Sequence, residues 1–281
     1  MAGRGRIGSR RFCCCLRDIA MTKLQGAWIW YELMTSDAAG AKAFYEAVAG
    51  WQIPLSGQAP LYYSHITRAD GREVGGLLPL TQEMIAQGAH PAWVGYIGVD
   101  DINATLDAAL AAGGRLLMPR MDIDEGSFAM VTDPGGAPFY LMQPRAMGSG
   151  QTSVSFSVED CGSMGWNELP AADMARDLAF YQALFGWEVT GALDMGAYGQ
   201  YQFLAHDGVT MGAIMQRIPE AQGFGWNHYI RVADIDAAAS AINAHGGRVL
   251  RGPDPVPGED WIIHGRDPQG ASFALVGKRV A

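Results

Sequence analysis

Positive charge is scarce in this chain: 20 Lys and Arg stand against 29 Asp and Glu, a formal net charge of −9. Phosphate recognition needs a basic face, so this balance argues against a nucleic-acid partner. Long hydrophobic runs are missing as well. None reaches the roughly 18 apolar residues that a membrane-spanning helix needs, and no membrane partner is expected. Cysteine is limited to Cys13, Cys14, Cys15 and Cys161. Three adjacent cysteines lack the spacing of a zinc knuckle, and one more makes no disulfide framework. That usage fits a reducing, cytoplasmic setting. The sequence also has no Gly-rich phosphate loop and no nucleophile elbow.

What the chain does have is apolar content and length. Nearly half of its 281 residues are hydrophobic, 49%, enough for a sizeable core and about two domains. The start differs from the rest. "MAGRGRIGSRRFCCCLRD" is arginine-rich and lacks the apolar stretch of a secretory signal, so residues 1–24 are expected to be a disordered or mis-assigned leader. Lipidation of its cysteines is the alternative that would touch a membrane.

From there on the chain repeats itself. Trp30, Glu32, Leu33, Asp37, Phe44, Tyr45, Gly50 and Trp51 recur as Trp166, Glu168, Leu169, Asp173, Phe180, Tyr181, Gly186 and Trp187. "WVGYIGVDDI" is answered by "WNHYIRVADI", "AAGGRLL" by "AHGGRVL", and "DPGGAPFYL" by "DPQGASFAL". A repeat of this kind signals duplicated structural units. The expected division is residues 25–145 and 165–279, joined by a linker over 146–164. Each half divides again. Ala27 to Leu33 alternates as a strand, Asp37 caps a helix that runs to Ala49, and Gly50 stops it. Short strands follow at 61–67 and 74–80, and Trp93 restarts the pattern. The chain is therefore read as α+β, with four βαβββ modules in two tandem halves. One module covers a single face of its sheet. Two modules side by side bend their sheets into a cup.

Strand alternation puts Trp30, Glu32 and Met34 on one face and Tyr31 and Leu33 on the other. The second copy does the same with Trp166 and Glu168 against Asn167 and Leu169. The apolar face is expected to pack on the helix, which aims each glutamate into a cup. A carboxylate there is partly desolvated, and a raised pKa suits a proton-transfer role near neutral pH. Equally open are a ligand anchor and a buried hydrogen-bond hub. The neighbouring strand places Val94, Tyr96 and Gly98 in the first cup and Asn227, Tyr229 and Arg231 in the second. Arg231 is expected to approach and neutralise Glu168, while Glu32 meets Gly98 and open space. His264 could line the second cup. His228 has the parity of a core residue, and His65 and His206 are expected to be exposed. Trp30, Trp93, Trp166 and Trp226 could stack on a flat ligand or pack in the core. "DIDEGSF" and "PGEDW" read as acidic loops, either cup rims or solvated segments.

Taken in this order, "FYEAVAGW", "FYQALFGW", the "VDDI…AAGG" and "VADI…AHGG" helices and the two Asp-Pro-x-Gly hairpins resemble the vicinal oxygen chelate superfamily of glyoxalases, bleomycin-resistance proteins and extradiol dioxygenases. The resemblance spans about residues 27–277 and implies a tandem glyoxalase-like fold. In metal-dependent members it would place ligands at Trp30, Val94 and Tyr140 and at Trp166, Asn227 and Ala274. None of these is a good donor for a divalent ion, so no cofactor is expected. A metal would need Glu32 or Glu168 in a shifted arrangement. The resemblance implies a lyase or isomerase of the glyoxalase type acting on a small carbonyl- or hydroxyl-bearing molecule. In that reading Glu32 is the base, and Tyr96 and Tyr140 donate to developing negative charge. Trp30, Trp166, Glu168, Asn227, Tyr229, Arg231 and His264 would line ligand sites. A non-catalytic binding or resistance protein for flat aromatic molecules, and a scaffold valued for assembly, are the other readings. The small-molecule ligand is the expected partner, with the chain a monomer of paired modules or a homodimer.

Overall fold

The computed structural model describes residues 23–55, 62–145, 153–218 and 225–280. The arginine-rich start with Cys13 to Cys15 lies outside them. The first half runs β1 (Trp28–Thr35), α1 (Ala38–Ala49), β2 (Ser64–Thr67), β3 (Glu73–Pro79), α2 (Gln82–Ala86), β4 (Ala92–Gly98), α3 (Ile102–Ala111), β5 (Arg115–Ile123), β6 (Gly126–Thr132) and β7 (Pro138–Pro144). The second runs β8 (Met164–Ala171), α4 (Met174–Phe185), β9 (Glu188–Asp194), β10 (Gln200–His206), β11 (Val209–Gln216), β12 (Asn227–Val232), α5 (Ile235–Ala244), β13 (Arg248–Pro255), β14 (Trp261–Arg266) and β15 (Ser272–Gly277).

Capping chemistry sets the long helices. Asp37, Asp101, Asp173 and Asp234 each sit in extended backbone before a helix, and their carboxylates accept from its first amides, which would otherwise be unpaired. Gly50 and Gly186 close α1 and α4 in the left-handed region, at φ 69° and 66°, where a side chain would be strained.

Each half builds one sheet from both of its modules. The first is ordered β2-β3-β1-β4-β7-β6-β5 and the second β13-β14-β15-β12-β8-β11-β10-β9. In each, the leading strands of the two modules pair antiparallel at the centre, β1 with β4 and β8 with β12. The two modules of a half thus form one curved surface. In the first module, among the described residues, the segment between α1 and β2 contributes a bridge from Gln52 to Thr67. Pro54 follows and has no N–H to donate to a ladder.

The two sheets share one core. Tyr31 and Leu33, on the convex side of the first sheet, are fully buried, and a single apolar cluster runs from Trp28 through Phe139 and Phe180 to Leu275. Helices pack across the halves, α1 against α5 and α3 against α4. Polar groups in this interface are paired in a crossed pattern. Trp93 donates to the Tyr45 hydroxyl at 2.9 Å, which donates to Asp267 of the other half at 3.1 Å. Trp226 donates to the Tyr181 hydroxyl at 2.8 Å, which donates to Asp133 of the other half at 3.1 Å. The second tryptophan of each repeat crosses as well. Trp51 donates to the Gly162 carbonyl at 2.7 Å and Trp187 to the Gly26 carbonyl at 2.8 Å. Trp93 and Trp226 therefore belong to the core and to this bonding, not to a ligand surface. His228 is a core histidine, whose Nδ1–H donates to the Asn167 amide oxygen at 2.8 Å and whose ring is set against those of Trp28 and Tyr31. Burial pushes it down to about 3, so it is neutral. His206, expected in solvent, is buried instead, because its strand end packs on the chain before β1 and its ring reaches the Lys23 carbonyl at 3.3 Å.

Removing either interface phenol strips partners from two buried groups, an aspartate and an indole N–H. Tyr45→Phe and Tyr181→Phe should each lower the free energy of unfolding by about 1–3 kcal/mol, read from urea denaturation. The cups lie on the opposite faces of the sheets, so their local geometry should be retained.

Candidate active site

Glu32 stands at the centre of the first concave face. Its strand pairs β3 on one side and β4 on the other, with Gly76 and Val94 in register with it. The side chain is buried, 3% exposed. Tyr96 donates its hydroxyl to one carboxylate oxygen at 3.0 Å and Tyr140 to the other at 3.3 Å. These two rings lie on each other, centroids 4.1 Å and planes 17° apart, because β4 and β7 are parallel neighbours with Tyr96 and Tyr140 in register. Burial drives the Glu32 carboxyl up to about 7, and the two phenols only partly offset this. No cation contributes to that balance.

Around this centre stand Trp30, Tyr63, Phe128, Met34, Met130 and Met142. Trp30 is half-buried and donates its indole N–H to the Tyr63 hydroxyl at 2.8 Å. Tyr63 can lie there because residue 76 is glycine: a Cβ at Gly76 would sit 1.7 Å from the Tyr63 hydroxyl. His65, exposed as expected, stands at the rim of this face, edge-on to the Trp30 and Tyr63 rings, with its Nδ1 2.8 Å from Glu73. The expectation that Glu32 faces Gly98 is corrected by the register. Gly98 is four residues beyond Val94, about 13 Å along the strand, and lies against Leu24 and Ile29.

The second cup repeats the plan with different chemistry. Tyr201 donates to Glu168 at 2.9 Å and itself accepts from Trp166 at 2.9 Å. Asn227, in register with Glu168, makes a long amide contact to it at 3.4 Å. The Tyr229 hydroxyl lies beside both Glu168, to which it hydrogen-bonds, and His264, 3.3 Å from Nε2, and burial pushes this histidine below its ordinary value. Ala274 stands where the first cup has Tyr140. Arg231 does not reach Glu168. It lies four residues along β12, past a register shift after Tyr229, and pairs with Asp260 at 2.8 Å. That pair also claims the "PGEDW" loop. In "DIDEGSF", Asp122 is held by Arg120 and Ser127 at the surface.

Tyr63, Tyr201 and Phe128 are site residues that strand parity around the glutamates did not reveal. The two tyrosines do recur in the sequence, but at an offset of 138 residues, since the segments before them differ in length. As for a metal, the positions that would supply ligands carry Trp30, Val94 and Tyr140, and Trp166, Asn227 and Ala274. Indole, alkyl and amide groups do not suit a divalent ion, and among the described residues no three His, Cys, Asp or Glu converge. The donor set does not fit such an ion, and no step below is routed through one.

Comparison with known proteins accords with this architecture. The chain is 32% identical over 256 residues to the Mycobacterium tuberculosis protein named "Putative glyoxylase CFP32", covering 90% of this chain and 95% of that one. It is 31% identical over 133 residues to the anthracycline biosynthesis protein DnrV of Streptomyces peucetius, 42% of this chain and 48% of that protein. Among solved structures, the 2,3-dioxygenase LapB of Pseudomonas sp. KL28 superposes with a TM-score of 0.59 at 13% identity, covering 92% of this chain and 94% of LapB. The Mn(II)-bound glyoxalase of Novosphingobium aromaticivorans gives 0.57 at 15%, covering 93% and 83%. At such identities these two share the fold alone. The sequence model of the glyoxalase/bleomycin resistance protein/dioxygenase superfamily matches residues 29–141 and again 163–275, and the chain belongs to that superfamily.

Proposed function

We propose that the protein is a proton-transfer enzyme of the glyoxalase type. It acts on a small molecule bearing a carbonyl group, with Glu32 of the first cup as the base. One observation carries this reading: a carboxyl buried on a concave apolar face between two phenol hydroxyls, where burial raises it to about 7. Such a group exchanges protons near neutral pH, where a base is most effective.

The two phenols take a role that their position supports. In the resting site both donate to Glu32. When Glu32 takes a proton from the carbon beside the substrate carbonyl, the bonding pair moves to the carbonyl oxygen. Glu32 becomes neutral and a poorer acceptor, while the substrate oxygen becomes anionic. The Tyr96 and Tyr140 hydroxyls then gain by turning to that oxygen. For an α-hydroxy carbonyl compound, the hydroxyl proton passes to the enolate oxygen and Glu32 returns its proton to the former carbonyl carbon, which completes an isomerisation with no oxidant or reductant. The relative named as a glyoxylase supports the same class of chemistry. A second reading, a binding protein for flat aromatic molecules, is favoured by the aromatic and methionine-rich walls of the cup, since thioether and ring contacts adapt to varied apolar ligands.

Exchange of protons for deuterons beside the carbonyl of small hydroxy-ketones and methylglyoxal–thiol adducts, followed by NMR in D2O, tests the enzyme reading. The rate should rise with pH and level off above about 7, as Glu32 loses its proton. Glu32→Gln should lower it at least about 100-fold, and Tyr96→Phe and Tyr140→Phe by smaller factors. Glu32→Gln that leaves exchange intact would sink the base assignment. Saturable binding of flat aromatics without exchange would establish the second reading.

Stability gives an independent check on the carboxyl. Its folded pKa lies above the ordinary 4.5, so the folded state holds the proton more tightly than the unfolded chain. The stabilisation is complete below about 4.5 and is lost as pH rises through 7. It amounts to about 3 kcal/mol as an order of magnitude. Asp133, raised by burial to about 6, adds a dependence of the same sign at lower pH. His228, which burial pushes down to about 3 from an ordinary 6.5, contributes the opposite slope, so the check is the difference between two proteins: the unfolding free energy of the wild type relative to Glu32→Gln should fall between about pH 4.5 and 7.

A further inference from the structure

Glu32 takes its two phenols from one side. Tyr96 and Tyr140 stand on β4 and β7, while the sheet order puts β3 and β2 on the other side of β1. Tyr63, just before β2, belongs to that other side. Its hydroxyl rests on Gly76, the residue of β3 in register with Glu32. It accepts the Trp30 indole N–H at 2.8 Å, and Glu32 is the strongest of the charges that act on it. Yet the phenols that bond Glu32 are Tyr96 and Tyr140, and among the described residues no acceptor takes the Tyr63 proton. Burial, and then the Glu32 charge, push the Tyr63 phenol up, so that proton stays on it at neutral pH. Both Trp30 and Tyr63 are only half-buried.

The second cup shows that a tryptophan–tyrosine pair does not by itself leave a donor unspent. Trp166 donates to Tyr201 in the same way, but the Tyr201 hydroxyl donates to Glu168 at 2.9 Å. There Ala213 is in register with Glu168, and its methyl group excludes a hydroxyl placed as that of Tyr63 is. In the first cup Glu32 therefore lies between a pair of phenols on one side and, on the other, a phenol that has used its acceptor and kept its proton.

We propose that Tyr63 determines specificity in the first cup: it donates to a hydroxyl oxygen on the substrate carbon that yields its proton to Glu32, while Tyr96 and Tyr140 serve the carbonyl oxygen on the far side. This rests on the reading of Glu32 as the base. Tyr63 donates to a lone pair, so the substrate hydroxyl keeps its own proton, which remains free to pass to the enolate oxygen. A methyl group in place of that hydroxyl would cover the phenol and leave its O–H without a partner, and an unpaired buried donor is what lets a site reject such an analogue.

The probes are α-hydroxyacetophenone and propiophenone, which carry a hydroxyl and a methyl group, respectively, on the carbon beside the carbonyl. Proton–deuteron exchange at that carbon gives kcat/KM for each, and protein-observed NMR titration of the full chain gives each Kd. Tyr63→Phe keeps the ring and removes the donor. It should weaken α-hydroxyacetophenone by about fivefold or more in both Kd and kcat/KM, and leave propiophenone unchanged or tighten it. Comparing variant with wild type for each ketone cancels the difference in their intrinsic acidity. A tyrosine that only supports the fold would move both ketones together. The proposal is overturned if α-hydroxyacetophenone shows no saturable binding, or if Tyr63→Phe shifts both ketones alike or neither. Exchange missing from the wild type, with the selective loss of binding in Tyr63→Phe intact, would remove the base assignment and leave Tyr63 as the hydroxyl's donor.

Discussion

The crossed hydrogen bonds between the halves constrain everything else in this fold. Each repeat sends a helix tyrosine into the Asp-Pro-x-Gly turn of the other repeat, and a core tryptophan donates to that tyrosine. The same aspartates hold their own turns, Asp133 accepting from the Ala137 amide and Asp267 from Ala271. One carboxylate thus fixes a local hairpin and a distant helix together. Buried polar groups of this kind are costly when unpaired, so the two halves are bound to one geometry. The convex faces of both sheets are consumed in the shared core. Their concave faces are left for chemistry.

On that fixed frame the two cups have diverged through a few side chains. Glutamate, tryptophan and a phenol bonded to the tryptophan are common to both. The first cup adds Tyr140, and Glu32 becomes a buried carboxyl held by two phenols. The second has Ala274, Asn227 and His264 in place of Tyr140, Val94 and Met130, and Glu168 is met by Tyr201, Asn227 and Tyr229. Burial dominates the behaviour of Glu32, and among the described residues no cation offsets it. Three side chains at matching register positions therefore give the two acids different surroundings on the same backbone.

Much of this was legible in the residues. The repeat gave the number of halves, the aspartate and glycine signals gave the ends of α1 and α4, and strand parity aimed Glu32 and Glu168 away from the helices. The family resemblance rested on "FYEAVAGW" and the Asp-Pro-x-Gly turns, and the same motifs prove to be the parts of the interface. Parity did not fix which residue on β4 or β12 would face each glutamate. That depends on register, and a shift of four residues moved Arg231 from Glu168 to Asp260. Tyr63 was equally out of reach, since its place in the cup depends on the missing side chain of Gly76 on another strand.

Sequence alone determined the local and repeated features: which segments alternate, where helices begin and end, and that each unit carries an acid in an apolar strand. These follow from short-range rules of pleat, capping and periodicity, which act within a few residues. Tertiary structure decided what each acid meets. Pairing register, the packing of one half on the other and the burial of a carboxyl are sums over residues distant in the chain. The proton affinity of Glu32 and the polar partners of Glu168 exist only once those distant residues have been brought together.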